Sequence, residues 1–230
     1  DDFGPRSFDG PIRARILANF GVGYNHIDVA RAREVGITVT NTPGAVTDAT
    51  ADIALTLILM SARRAAEGER LVRTGGWTGW QPTQMLGQHV TGKRLGVIGM
   101  GRIGRAIARR CHYGFGMEVV FFNRSPVDPG LPATQVPLAQ ALAADFVVLA
   151  VPSTPETRHL VGAAELAQMA PHAHLINIAR GDIVDEAERI AALEAGATAG
   201  AGLDVYEFEP AVLQALPDLG DVTPRPAPGP

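Results

Sequence analysis

Cysteine is nearly absent from this 230-residue chain, with Cys111 the single one. One thiol excludes an intrachain disulfide framework and any paired-cysteine metal or redox motif. Positive charge is not in surplus either: 20 Lys and Arg stand against 24 Asp and Glu, a net charge of −4. Without a basic footprint, nucleic acid is not an expected partner. Long hydrophobic runs are missing too. The most apolar stretch, IALTLILM at 53–60, is far too short to span a bilayer, so no membrane role is expected. No signal-peptide pattern opens the sequence, and a reducing cytoplasm is the expected setting. What is present is ordinary: 46% hydrophobic and 19% charged residues favour a packed core over disorder. The length allows one large domain or two modest ones.

Along the chain, residues 1–15 show no clear period. Short apolar runs at 16–18 and 37–39 read as buried strands. Helix-forming residues at 26–35 lie between them and stop at Gly36, so this is a strand–helix–strand unit. Residues 48–75 read as one long helix, apolar nearly all round in its first half and amphipathic in its second. A loop with Trp77 and Trp80 follows, expected to pack on a neighbour. From Thr91 the pattern is regular: strands at 93–98, 117–122, 146–151, 174–178 and 200–205 alternate with helices at 102–112, 138–143, 163–169 and 185–195. Such alternation predicts an α/β, doubly wound parallel sheet. The tail at 211–230, rich in Pro, Gly and Ala, reads as irregular.

Gly99-Met100-Gly101-Arg102-Ile103-Gly104 forms a GxGxxG sequence between the strand KRLGVI and the helix RIGRAIARR. Gly99 suits a tight turn, Gly101 a close approach of backbone to pyrophosphate, and Gly104 close packing of helix on strand. The helix N-terminus offers free N–H groups to phosphates. Glycines so spaced also mark plain tight turns; the flanking strand and helix favour dinucleotide binding. At the tip of the next strand an acid would bond the ribose 2′-hydroxyl, whereas an arginine accommodates a 2′-phosphate. This chain has Asn123-Arg124-Ser125 there, and Glu118 lies at the wrong end of the strand. NADP(H) is the expected cofactor, with NAD(H) possible; the alternative for Arg124 is a solvated loop residue.

The segments NFGVGYNHID, NTPGAVTDATADIAL, GVIGMGRIGRAIARR, AVPSTPETRHL, LINIARGDIVDE and GAGLDVYEFEP resemble the D-isomer-specific 2-hydroxyacid dehydrogenase family. Within it, the nearest likeness is to NADPH-preferring glyoxylate and hydroxypyruvate reductases. The resemblance runs from about Ile16 to Glu209. It implies a Rossmann domain (91–210) inserted in a flavodoxin-like substrate domain, of which 1–47 is a part, with 48–90 forming interdomain and dimerisation elements. A homodimer is expected, and a small 2-keto or 2-hydroxy acid is the implied substrate. The opening repeats of the substrate domain and the closing helix are expected to be missing from the sequence.

Carried over residue by residue, the resemblance implies that Val22 and Gly23 offer N–H groups to the substrate carboxylate. Thr50 and Met100 to Ile103 touch the cofactor, Val151, Pro152 and Thr157 line its adenine side, Ile178 and Ala179 approach the nicotinamide ribose, and Asp204 bonds the carboxamide. Arg180 corresponds to the catalytic arginine. A guanidinium can fork onto the carboxylate and carbonyl of a 2-keto acid, orienting and polarising it; by position alone, without the motif, Arg180 reads rather as a surface residue. Glu209 corresponds to the glutamate that raises the pKa of the acid/base histidine, and its neighbour Glu207 is expected to be solvated.

The family's proton donor is a histidine after a proline. Here Arg225 follows Pro224, and no histidine occurs after His174. Arginine stays protonated and cannot shuttle a proton. Among the remaining histidines, His159 and His112 read as structural and His172-x-His174 lacks further metal-ligand spacing. His26, near the GVGY loop, is a weak substitute. No metal site is expected. Poor turnover follows, and a non-catalytic nucleotide-binding, dimerising protein is the alternative; an NAD-dependent phosphoglycerate- or lactate-type dehydrogenase is another.

Overall fold

The computed structural model describes residues 3–209 and the backbone of 222–224. The described part divides into two compact units, one ending at Thr47 and the other beginning at Asp48. In the first, β1 (Ile16–Ala18) and β2 (Thr38–Thr40) pair in parallel around helix α1 (Val29–Glu34). The Asp28 side chain caps α1 by accepting from the Arg31 N–H at 2.8 Å. Its small core is Phe8, Ile27, Ala32 and Ile37. The two strands are not buried as expected: Ile16 is 60% exposed, and β1 and β2 both alternate exposed with half-buried positions. Two strands within this unit have only one face to cover, so the β-branched composition does not guarantee burial.

The second unit is built on β3 (Arg94–Ile98), β4 (Glu118–Phe122), β5 (Thr134–Gln135), β6 (Phe146–Leu149), β7 (His174–Asn177), β8 (Gly200–Leu203) and β9 (Val222–Pro224). All pair in parallel, in the order β5-β4-β3-β6-β7-β8-β9. Strands β6, β7 and β8 are buried at every position, as strands covered on both faces must be. Helices α2 (Thr47–Ala62), α4 (Arg102–Phe115), α5 (Leu138–Leu142), α6 (Ala163–Leu166) and α7 (Glu186–Glu194) supply the cover, while α3 (Ala65–Arg73) buries no residue. One core joins Ala51, Ala54, Leu57 and Ile58 of α2 to Ile107, Ala108 and Cys111 of α4 across β3 and β4. Burial drives the Cys111 thiol up to about 12, so it behaves as a packed, inert group.

Two expectations are corrected, and one strand, β5, had no reading in the sequence. The single helix at 48–75 is two helices, broken at Arg64, whose φ of +53° is left-handed. Its guanidinium holds the break by donating to both Glu67 oxygens, at 2.8 and 2.6 Å. Two-residue β5 is too short to show a period. Within the segment read as irregular, Val222–Pro224 runs beside Ala201–Leu203 as a seventh strand. Pro224 is tolerated because β9 ends the sheet order, where one row of hydrogen bonds is not needed. Among the described residues no helix is long and apolar enough to cross a membrane.

Candidate cofactor and substrate site

Strand order reverses at β3: the chain leaves it for β4 on one side and later returns to β6 on the other. A crevice at such a switch point, beyond the C-terminal strand ends, is where doubly wound sheets bind ligands. Gly99 to Gly104 follow β3 directly. Gly99 turns at φ +101°, and a side chain there would meet the Ala150 carbonyl at 2.6 Å and Val151 at 2.8 Å. A Cβ on Gly104 would overlap the Gly99 carbonyl oxygen. Both glycines are thus required by the fold itself. Gly101 is different: among the described residues nothing lies within 4 Å of the position its Cβ would take. No described residue requires glycine there, and the space left open would admit a close ligand such as a pyrophosphate. Gly101 is also the N-cap of α4 and no side chain caps that end, so the first N–H groups of the helix remain available to phosphate oxygens. The chain's own residues fit a dinucleotide.

The tip of β4 is drawn to this loop: the Met100 N–H donates to Asn123 Oδ1 at 3.3 Å. Gln135, not foreseen from the sequence, donates to the Asn123 and Ser125 carbonyls at 3.0 and 3.2 Å and so shapes the loop that presents exposed Arg124. Arg124 also helps hold the Glu156 carboxyl below its usual range, after the Thr154 hydroxyl, which contributes most. Thr50 lies in the first turn of α2, between Asp48 and Asp52, which both accept from Arg110 of α4 at 2.9 and 2.7 Å. After β6, Val151 borders Gly99. Thr157 is spent on its own loop, accepting from the Thr154 N–H at 2.8 Å and donating to the Pro152 carbonyl at 2.7 Å.

After β7, the buried Asn177 amide bends the chain, accepting from the Ala179 N–H and donating to the Arg180 carbonyl, at 3.1 and 2.9 Å. Ile178 and Ala179 are thereby folded inward and Arg180 outward. The Arg180 guanidinium donates to the Ala179 carbonyl. An amide closing an apolar strand was the signal for Asn177. After β8, the Asp204 N–H donates to the Asn177 carbonyl at 3.0 Å, which joins these two strand ends. Glu209 is exposed and accepts from the Tyr206 N–H at 2.8 Å. Arg225, in the expected histidine's place, lies outside the described residues, as do Pro210 and Asp221.

Glu207 corrects an expectation. It is not solvated: its side chain is only 9% exposed and accepts from His159 Nε2 at 2.7 Å. A carboxylate facing the Glu186 N–H and an imidazole is drawn inward by those donors. In the first unit, the Asn19 amide donates to the Gly21 and Gly23 carbonyls and the Asn41 amide to the Val22 carbonyl. These bonds hold the 19–23 loop with the carbonyls turned inward. Among the described residues the Val22 and Gly23 N–H groups make no hydrogen bond. Among the described residues no cluster of His, Cys, Asp and Glu has the arrangement of a metal site.

An all-parallel sheet in this order, with a glycine loop at its switch point and open space at the central glycine, defines a dinucleotide-binding domain. The chain belongs to the D-isomer specific 2-hydroxyacid dehydrogenases, whose NAD-binding domain matches residues 55–226. It is 48% identical over 223 residues to the glyoxylate reductase of Thermococcus gammatolerans, covering 94% of this chain and 66% of that protein. A solved structure of the NADPH-dependent glyoxylate/hydroxypyruvate reductase of Sinorhizobium meliloti, in complex with NADP and malonate, superposes with a TM-score of 0.85. The two are 41% identical over 93% of this chain and 67% of that one. A glyoxylate reductase from Paecilomyes thermophila superposes equally, at 39% identity over 93% and 65% of the two chains. The chain therefore spans about two thirds of the length of these relatives.

Proposed function

We propose that this chain binds NADP(H) and serves the reduction of a small 2-keto acid, glyoxylate or hydroxypyruvate, to the D-2-hydroxy acid. The observation that carries the reading is the open space at Gly101, in a chain of this family. When bound, the nicotinamide supplies the hydride. Gly99 to Gly104 and the first turn of α4 hold the pyrophosphate. Arg124, with Asn123 and Ser125, holds the 2′-phosphate, because a guanidinium and neighbouring hydrogen-bond donors suit a phosphate dianion. Thr50, Val151, Pro152, Ile178, Ala179 and Asp204 complete the cofactor seat. Arg180 binds the substrate carboxylate and polarises its carbonyl. Glu209 lacks its histidine partner in this sequence, so turnover is slow.

Dimerisation is part of the reading: Trp77 and Trp80 are 54% and 78% exposed beside α3, an apolar surface suited to a second copy.

Steady-state oxidation of NADPH and NADH with glyoxylate and hydroxypyruvate tests these assignments. We expect NADPH to bind about tenfold more tightly than NADH and Arg124→Ala to erase that difference, with turnover far below that of a family member bearing the histidine. Equal affinity for the two cofactors sinks the NADP(H) assignment. Brisk turnover sinks the missing-acid argument, while binding without any turnover favours a non-catalytic nucleotide-binding role.

A further inference from the structure

His159 has an unusual position for a side chain without an assigned role. Its φ of +48° is left-handed, a conformation that costs a non-glycine residue of order 1 kcal/mol and persists only where its surroundings impose it. The His159 N–H donates to the Asp182 carbonyl at 2.8 Å, just beyond Arg180. Its Nε2 lies 2.7 Å from Glu207 Oε1, and its Nδ1 lies 3.6 Å from Asp185 Oδ2. Glu207 is in turn tied to the start of α7 by a reciprocal exchange. The Glu186 N–H donates to Glu207 Oε2 at 3.3 Å, and the Glu207 N–H donates to Glu186 Oε2 at 3.2 Å. Glu186 and Arg189, both almost wholly buried, form an ion pair at 3.0 Å beneath them.

These bonds join three loops. Residues 151–161 follow β6 and carry Val151 and Pro152; residues 178–186 follow β7 and carry Ile178, Ala179 and Arg180; residues 204–209 follow β8 and carry Asp204 and Glu209. Backbone contact reinforces the joint: a Cβ on Gly181, the residue after Arg180, would overlap the Tyr206 carbonyl. Ser153 adds a further stitch, donating to Asp182 Oδ2 at 3.0 Å.

We propose that His159 and Glu207 form a clamp that positions the cofactor- and substrate-bearing loops of β6, β7 and β8 relative to one another. Neither residue touches the reacting atoms; each acts as a positioning residue. The inference rests on the NADP(H) reading of the same site. A clamp of this kind affects how well the empty site is preformed, and misplacement of a binding loop by about 1 Å is costly in affinity and rate.

The test uses the full chain, comparing wild type with His159→Ala, His159→Gln and Glu207→Gln. NADPH and NADH affinities come from nicotinamide fluorescence, and hydrogen exchange of the cofactor-free protein is followed by mass spectrometry. The expected result for His159→Ala is a dissociation constant raised about tenfold. It is accompanied by about tenfold faster exchange in 153–161 and 204–209, with β3 and α4 unchanged. Glu207→Gln behaves similarly. His159→Gln keeps an N–H within reach of Glu207 and restores affinity to within about threefold of wild type. Unchanged affinity and exchange in His159→Ala overturn the clamp, as does faster exchange spreading equally through β3 and α4, which marks a general structural role. Wild-type protein that binds neither NADPH nor NADH overturns the cofactor reading and the clamp with it. Wild-type binding with an unaffected His159→Ala overturns the clamp alone.

Discussion

The two ends of the seven-stranded sheet treat their polar groups in opposite ways. At the N-terminal end, buried His174 at the start of β7 is bonded on both ring nitrogens. Ser61 Oγ of α2 lies 2.7 Å from Nδ1, and Gln88 Oε1 lies 3.1 Å from Nε2. Gln88 Oε1 can only accept, so Nε2 carries the proton and Nδ1 accepts from the Ser61 hydroxyl. The ring also stacks on Phe146 of β6, with centroids 5.3 Å apart. Beside it, Asp145 accepts from the Arg94 N–H at 2.8 Å and pairs with His172 at 2.8 Å. Most polar groups here are consumed by the protein, although Gln88 Nε2 and Arg94 Nε make no hydrogen bond among the described residues. At the C-terminal end, among the described residues, the α4 N-terminus lacks a side-chain cap, Gly101 faces open space, and Arg180 reaches only its neighbour's carbonyl. These groups stay available, although Asn177, Thr157 and Glu207 at the same end are bonded within the protein. On the proposed function, the difference separates residues that sustain stability from residues that sustain binding, although both sets sit at strand ends of one sheet.

Three experiments can break or sharpen that division. The largest effect belongs to the N-terminal end. Burial lowers the His174 pKa to about 4, from an ordinary value of 6.5, with nearby His172 adding to the effect. The folded state therefore holds the ring neutral while the unfolded chain takes up a proton. The stabilising contribution is fully present above pH 6.5 and is lost as pH falls toward about 4, where it levels off. Its size is about 3 kcal/mol. Denaturant unfolding of wild type and His174→Leu between pH 7 and 4 is expected to show a steeper loss for wild type. Parallel curves would mean that the ring is freely protonated in the fold.

Next comes Gly101→Ala. Space is open and the backbone φ of −79° suits alanine, so the melting temperature should stay near that of wild type. The added methyl intrudes on the phosphate seat at a cost of about 2 kcal/mol, roughly thirtyfold in the NADPH dissociation constant. A large fall in melting temperature, or unchanged affinity, contradicts the assignment of this end to binding.

The smallest effect is Ser61→Ala. It removes the donor to His174 Nδ1 and should cost about 1.5 kcal/mol in unfolding measurements, leaving NADPH affinity unaltered. A shift in affinity would show that the two ends are coupled.

Much of this was legible beforehand because the signals are local. Apolar runs bounded by glycine marked the strands, and the GxGxxG spacing between strand and helix marked the glycine loop at the switch point. Even so, only the folded chain distinguishes Gly101 from Gly99 and Gly104: whether a Cβ overlaps a carbonyl or faces empty space depends on β6 and on the path of α4. Arg64 carries no breaking signal, since arginine is a good helix former, and its left-handed turn is held by Glu67 and by packing. Glu207 reads as a surface glutamate next to Glu209 until His159, 48 positions earlier, is brought to it.

By itself, the sequence determined the order of most strands and helices, the class of sheet they build, the glycine loop and the family. Each depends on residue spacing within a few turns of chain, where backbone sterics and hydrophobic period dominate. Tertiary structure alone decided which polar residues are spent and which stay available. Partners such as His159 and Glu207, or Ser61 and His174, lie far apart in the chain, and the state of a buried polar group is set by whatever donor or acceptor the fold brings within about 3 Å.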